Sequence, residues 1–229
     1  MHRHFPLRLS LASTLLATSA LLCTPAAQAF GIGDLVNVAK PAAGSASVDP
    51  EGFLKAAANA EKLMSNSLKL LLGALSSKEE AAKFDAKMQA AEKSTDPAEV
   101  NAQKLEIQKE ATAMIAAESG KADIKNRINK LDSAQRKQLG AAAFNFSLAL
   151  LQDKALIDQS KGLISGMSAN PALLGKLGNV KDAVSSLTNQ IETGSKVGGL
   201  MPDIFATVGV KAPASKDDKP KEMALADSV

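Results

Sequence analysis

The side chains that could do chemistry in this chain are chiefly carboxylates. Glu79, Glu80 and Asp85 fall within one helical stretch, and Glu106 and Glu110 stand four apart on one face of the next. Paired carboxylates can act as acid and base without histidine. Here Lys78, Lys83, Lys87, Lys104 and Lys109 are interleaved with them, so the pattern reads as a solvated face with local ion pairs. The imidazole and thiol chemistries are confined to the first residues, because His2, His4 and Cys23 are the sole histidines and cysteine. Downstream of them there is no basis for a Ser-His-Asp or Cys-His nucleophile, a disulfide, or a zinc, haem or copper site of the usual ligands. No cofactor, metal ligand or catalytic residue is assigned.

Other chemistries meet similar obstacles. Met64, Met88, Met114, Met167, Met201 and Met223 are too widely spaced for a local cuprous site and read as core fillers. No Asp-x-Asp-x-Asp-Gly loop offers calcium a cage. Ser-x-x-Lys does not occur after residue 29. A glycan-cleaving site would ordinarily stack sugars on amphipathic rings, whereas the chain has no Trp or Tyr.

Residues 1–29 read as a secretory signal. Arg3 and Arg8 give a positive start, Leu9 to Leu22 is apolar, and Ala27-Gln28-Ala29 is a small-residue cleavage site, so cleavage is expected before Phe30. The large Leu22 argues against lipoprotein anchoring at Cys23. The expected location is periplasmic or secreted. Removal of Arg3 and Arg8 leaves 25 of the 27 basic residues against 24 acidic ones, a formal charge of +1. A near-neutral exported chain is not expected to bind nucleic acid. The most apolar later run, Leu139 to Leu151, is interrupted by Asn145 and Ser147 and is too short to cross a bilayer.

The elements that must position these residues are helical. From Phe53 to about Thr193 the chain is rich in Ala, Leu, Lys, Glu and Gln, which lose little side-chain entropy in a helix. Asp49-Pro50, Ser77-Lys78-Glu79-Glu80, Asp96-Pro97 and Asn170-Pro171 are helix starts, and Gly120 and Gly194 are read as stops. Helices are predicted near 50–75, 78–93, 97–119, 121–131, 133–160 and 171–193, with a break somewhere in the glycine-containing stretch 160–179. The fold class is therefore all-α: an antiparallel bundle of about five to six helices with a flexible C-terminal tail. The expected organisation is a signal at 1–29, a segment and linker at 30–52, the bundle at 53–193, a Gly-rich segment packing on it at 194–210 and a disordered tail at 211–229.

Leu131-Asp132-Ser133-Ala134-Gln135-Arg136 resembles one copy of the Leu-Thr-x-x-Gln element of small helical periplasmic stress chaperones. Asp132 stands where that element has threonine, and there is no second copy, so the family's function is not carried across. Asp132 and Gln135 also fit a helix N-cap and its partner three residues on.

Two surfaces could serve binding. Leu173, Leu177, Val180, Val184, Leu187 and Ile191 alternate steps of four and three, forming a coiled-coil-like seam that is either internal core or a partner face. Lys55, Lys62 and Lys69 recur every seven residues beside an apolar surface, as an interfacial helix would place them, but a bundle helix with a solvated basic edge is the favoured reading, because the following helices supply matching apolar stripes. The functional expectation is an exported, non-catalytic helical protein that binds another protein or an envelope surface, in an adaptor, chaperone-like or structural role. Its partner is an envelope protein or a second copy, with a lipid or membrane surface as a further candidate. The alternative is a carrier of a lipid or other apolar small molecule between helices, motivated by Ala141 to Ala143 beside Phe144 and Phe146.

Overall fold

The helix starts are built as the capping chemistry dictates, because the first backbone N–H groups of each helix need acceptors from outside it. A computed structural model describes residues 49–117 and 121–224. In it, Asp49 accepts the N–H of Gly52 at 3.0 Å and Pro50 occupies the first turn of α1 (Pro50–Leu75). Ser77 accepts the N–H of Glu80 at 3.1 Å to open α2 (Lys78–Ala91). The helices α3 (Pro97–Ala117) and α4 (Lys121–Lys130) follow. Asp132 and Gln135 close a reciprocal capping box, at 2.8 and 3.1 Å, at the head of the long α5 (Ser133–Ser168). A 3-10 turn at Pro171–Leu173 leads into α6 (Leu174–Gly198), and α7 (Met201–Val208) ends at Gly209, whose φ of 71° is the left-handed conformation that glycine adopts without strain.

The described residues form no strand, and their seven α-helices exceed the five to six expected. The extra helix, α7, arises within the stretch read as a Gly-rich segment, where Met201 and Ile204 are buried. Two glycine readings are corrected. Gly194 does not stop a helix: α6 runs on to Gly198, and a Cβ at Gly194 would lie 2.7 Å from Leu150 Cδ2 and 3.4 Å from Phe146 Cζ, so the glycine admits close packing of α6 on α5. The break expected in 160–179 falls at Ala169–Leu173, and α5 extends past 160 through Gly162 and Gly166. The signal with its cleavage point and Cys23, residues 30–48 of the linker, Gly120, and residues 225–229 lie outside the described residues.

Arginine side chains finish two of the helices. Arg127 Nη1 donates to Leu75 O at 2.6 Å at the end of α1. Arg136 Nε and Nη2 donate to carbonyls of Ile128, Leu131 and Asn129 at 2.7–3.1 Å. A cation at a helix C-terminus satisfies orphan carbonyls and complements the helix dipole.

α5 lies against α1, α6 and α7, and α1 also touches α2, α3, α4 and α6. The apolar interior divides into two clusters. One gathers Leu63 to Leu75 of α1 with Phe84, Ile115, Ile124, Ile128, Phe146, Leu148, Val197 and Ile204. The other gathers Phe53, Ala57 and Ala60 of α1 with Leu156, Met167, Val180 and Leu187.

Candidate functional site

Helix α5 carries carboxamides at seven-residue intervals: Gln138, Asn145 and Gln152. Seven residues are close to two helical turns, so the three amides share one face and stand roughly 10.5 Å apart along the axis. That face holds the main chain of residues 211–224. Asn145 Nδ2 donates to Lys221 O at 2.8 Å while its Oδ1 accepts the Lys221 N–H at 2.7 Å. Gln138 Oε1 accepts the N–H of Ala224 at 2.9 Å, and Gln152 Nε2 donates to Lys216 O at 3.2 Å. Three extended residues span roughly 10 Å, so the step from Lys221 to Ala224 matches the step from Asn145 to Gln138. The step from Gln152 to Asn145 is instead matched by five residues, Lys216 to Lys221, which include the turn at Asp218.

Side chains of the strap fix its register. Lys221 Nζ sits 4.7 Å from the centroid of the Phe144 ring, an electrostatically favourable placement over the ring face. Met223, two residues on, packs partly buried against the larger apolar cluster, with its sulfur 4.0 Å from Ser67 Oγ. A Cβ at Gly140 would lie 2.8 Å from Val210 Cγ2, so that glycine lets the strap approach α5. Asp218 Oδ2 accepts the N–H groups of Ala214 and Ser215 at 2.7 and 3.2 Å, which turns the chain between its outward and return runs. Residues 211–224 thus lack regular secondary structure, but the disordered tail expected from their composition is replaced by a strap seated on α5. The composition could not reveal this, because the amides that hold it lie 64 to 86 residues earlier.

A second feature lies between the two apolar clusters. On α1 the smaller cluster ends at Ala60 and the larger begins at Leu63; on α5 the boundary falls between Leu150 and Leu156; on α6 it falls between Leu187 and Val197. Glu61, Asp153, Gln190 and Thr193 occupy these boundaries. Asp153 has 0 % exposure, and neither of its carboxyl oxygens has a hydrogen-bond partner; Gln190 Oε1 is likewise unpartnered. Burial, reinforced by the nearby Glu61 charge, pushes the Asp153 carboxyl up to about 8. It is therefore protonated at neutral pH. Glu61 in turn receives Lys104 Nζ at 3.4 Å, and the same ammonium reaches Glu92 at 3.1 Å. Burial works against the charge of Lys104, but these two carboxylates leave its pKa raised overall.

The carboxylates of the sequence reading are ion-paired. Glu79 and Glu80 flank Lys83 at 3.3 and 2.9 Å, Asp85 meets Lys69 at 2.9 Å, Glu106 meets Lys109 at 2.8 Å, and Glu110 meets Lys87 at 2.5 Å. Some of them rim a shallow groove of about 190 Å³ over Phe84, Ile107, Ala111 and Met114. Among the described residues no group of three or more His, Cys, Asp or Glu side chains is placed to hold a metal ion.

Five of the six seam residues are placed inward. Val180 and Leu187 are buried, Leu173, Leu177 and Val184 pack partly buried on the same cluster as Phe53 and Leu156, and Ile191 is half-buried. The seam is spent on α1 and α5. Lys69 leaves the row of three lysines for Asp85, and Leu68, Leu71 and Leu72 beside it have 0 % exposure. No helix among the described residues is long and apolar enough to cross a membrane. The α5 amides were the signal missed in the sequence: Asn145 interrupts the run Leu139 to Leu151, and its heptad relation to Gln138 and Gln152 gives the interruption a purpose. No family model, curated protein or solved structure matches the chain.

Proposed function

We propose that this is an exported, non-catalytic helical protein, periplasmic or secreted after cleavage before Phe30, that binds an extended segment of another protein along α5. An antiparallel arrangement of the long helices supplies the rigid face. The observation that carries this reading is the amide row Gln138, Asn145 and Gln152, whose hydrogen bonds go to main-chain atoms of the segment they hold. Main-chain recognition tolerates different sequences, which suits an adaptor or chaperone-like role.

The test is native mass spectrometry of the chain isolated gently from its own envelope, beside the Gln138→Ala/Gln152→Ala variant. A stoichiometric protein partner that is retained by the unmodified chain and reduced several-fold in the variant is the expected result, the fall being smaller than the roughly 1–3 kcal/mol of two hydrogen bonds because the strap that holds the same amides is weakened as well. A lipid-sized mass with no protein partner would transfer the function to a carrier of apolar molecules. A partner retained equally by both forms would remove α5 from the binding surface.

A further inference from the structure

The strap on α5 has the form of a ligand that the protein supplies to itself. Its main chain is read by three amides, and its side chains at alternate positions meet two fixed features of the bundle: Lys221 the face of Phe144, and Met223 the apolar surface beside Ser67. An extended chain places residues two apart on the same side, so these two contacts define a pattern of a basic residue followed two positions later by an unbranched apolar one. Lys221 and Glu222 are exposed, while Met223 is half-buried. Asn145 is the centre of the arrangement. It has 0 % exposure, sits among Ala142, Ala143, Phe146 and Leu148, and has both ends of its amide satisfied by the one residue Lys221. Removing the strap leaves that amide in an apolar setting, facing a slot shaped for another main chain.

The strap's attachment is of the kind that can exchange. It begins after Gly209, contains no helix or strand, and is held by a few side-chain-to-main-chain hydrogen bonds rather than by a deeply inserted apolar element. A tethered segment competes through its effective concentration, which reaches the millimolar range for short linkers. Weak intrinsic contacts are then enough to keep the face occupied until a partner binds.

Resting on the protein-binding reading above, we infer that residues 213–224 are an in-cis occupant of a peptide-binding groove on α5. The partner segment that displaces them is extended and carries a basic residue two positions before an unbranched apolar residue.

The experiment uses the full chain and a labelled synthetic peptide with the sequence of residues 213–224. Lys221→Pro removes the N–H that Asn145 Oδ1 accepts, releasing the strap while leaving every α5 residue unchanged. Fluorescence anisotropy is expected to show the peptide binding the Lys221→Pro chain at least about tenfold more tightly than the unmodified chain. A second peptide, carrying proline in place of Lys221, is expected to lose that binding on the same protein, a comparison that no change in folding can produce. A third, with aspartate in place of Lys221, is expected to bind several-fold more weakly because it meets Phe144 with the wrong charge. Equal affinity for both forms of the chain, or equal binding of the first two peptides, overturns the inference. So does a concentration-dependent dimer of the unmodified chain that disappears in Lys221→Pro, because the face would then belong to the strap of a second copy. If the peptide results fail while the envelope partner is still lost from the Gln138→Ala/Gln152→Ala variant, the binding function stands and only the in-cis occupancy falls.

Discussion

At the scale of single residues, Asp153 is the costliest side chain in the interior. Its carboxyl is fully enclosed, lacks hydrogen-bond partners and is raised from 3.8 to about 8, first by burial and then by Glu61. The folded state therefore binds this proton more tightly than the unfolded chain does. Stability from this group is fully present below about pH 4 and is lost as pH rises toward 8, above which both states are ionised and the loss levels off. About four pKa units correspond to a loss of order 5 kcal/mol. Asp153→Asn cannot ionise, and is expected to flatten the pH dependence of stability between 5 and 8 and to raise stability at pH 7 by a few kcal/mol. Urea unfolding of both proteins at pH 5, 6.5 and 8 checks this; parallel pH profiles would mean that another group dominates.

At the scale of elements, α5 joins three roles through residues on different faces. Its head is closed by the Asp132–Gln135 box, its buried face joins both apolar clusters, and its amide face holds the strap. The box is local, so its loss should be felt as helix-end stability alone. Asp132→Ala is expected to lower stability by about 1 kcal/mol, read from the urea midpoint, with peptide binding to the Lys221→Pro chain unaffected. A coincident loss of peptide binding would tie the strap face to the helix terminus, contrary to the separation of Asp132 from Gln138. The glycines of α6 make a related point about elements. Gly194 looks like a punctuation mark in one dimension, but its position against Leu150 and Phe146 makes it a contact surface.

At the scale of the whole molecule, the helical body and the strap are held by forces of different kind. The helical body rests on two apolar clusters that span most of the helices, whereas the strap adds one partly buried methionine and a few hydrogen bonds, most of them part-buried. Segments with few buried contacts open at low free energy without global unfolding. Gln152→Ala is accordingly expected to speed proteolysis after Lys216 and Lys221 several-fold while leaving the melting temperature within about 2 °C, as for a surface change. Limited trypsin digestion beside a thermal melt measures both. A melting temperature that falls together with faster cleavage would make the strap part of the cooperative core.

The helical class, most helix starts and the inward stripe of α1 were determined by the sequence itself, because they depend on neighbours within a few residues. Asp49, Ser77 and Asp132 cap the N–H groups three positions on, and the spacing of Met64, Leu68, Leu71 and Leu75 sets one face whatever lies opposite. The direction of the Leu173 to Ile191 seam was not determined in this way, since an apolar stripe is the same whether α1 and α5 or a partner covers it. Only the tertiary structure placed Val180 and Leu187 beside Phe53 and Leu156. It alone also made Asn145 the anchor of Lys221, 76 residues away, and left Asp153 enclosed near Glu61 with no hydrogen-bond partner. Such long-range pairings leave no local period in the chain, because a hydrogen bond or a burial cost depends on which atoms packing brings together, irrespective of their separation in sequence.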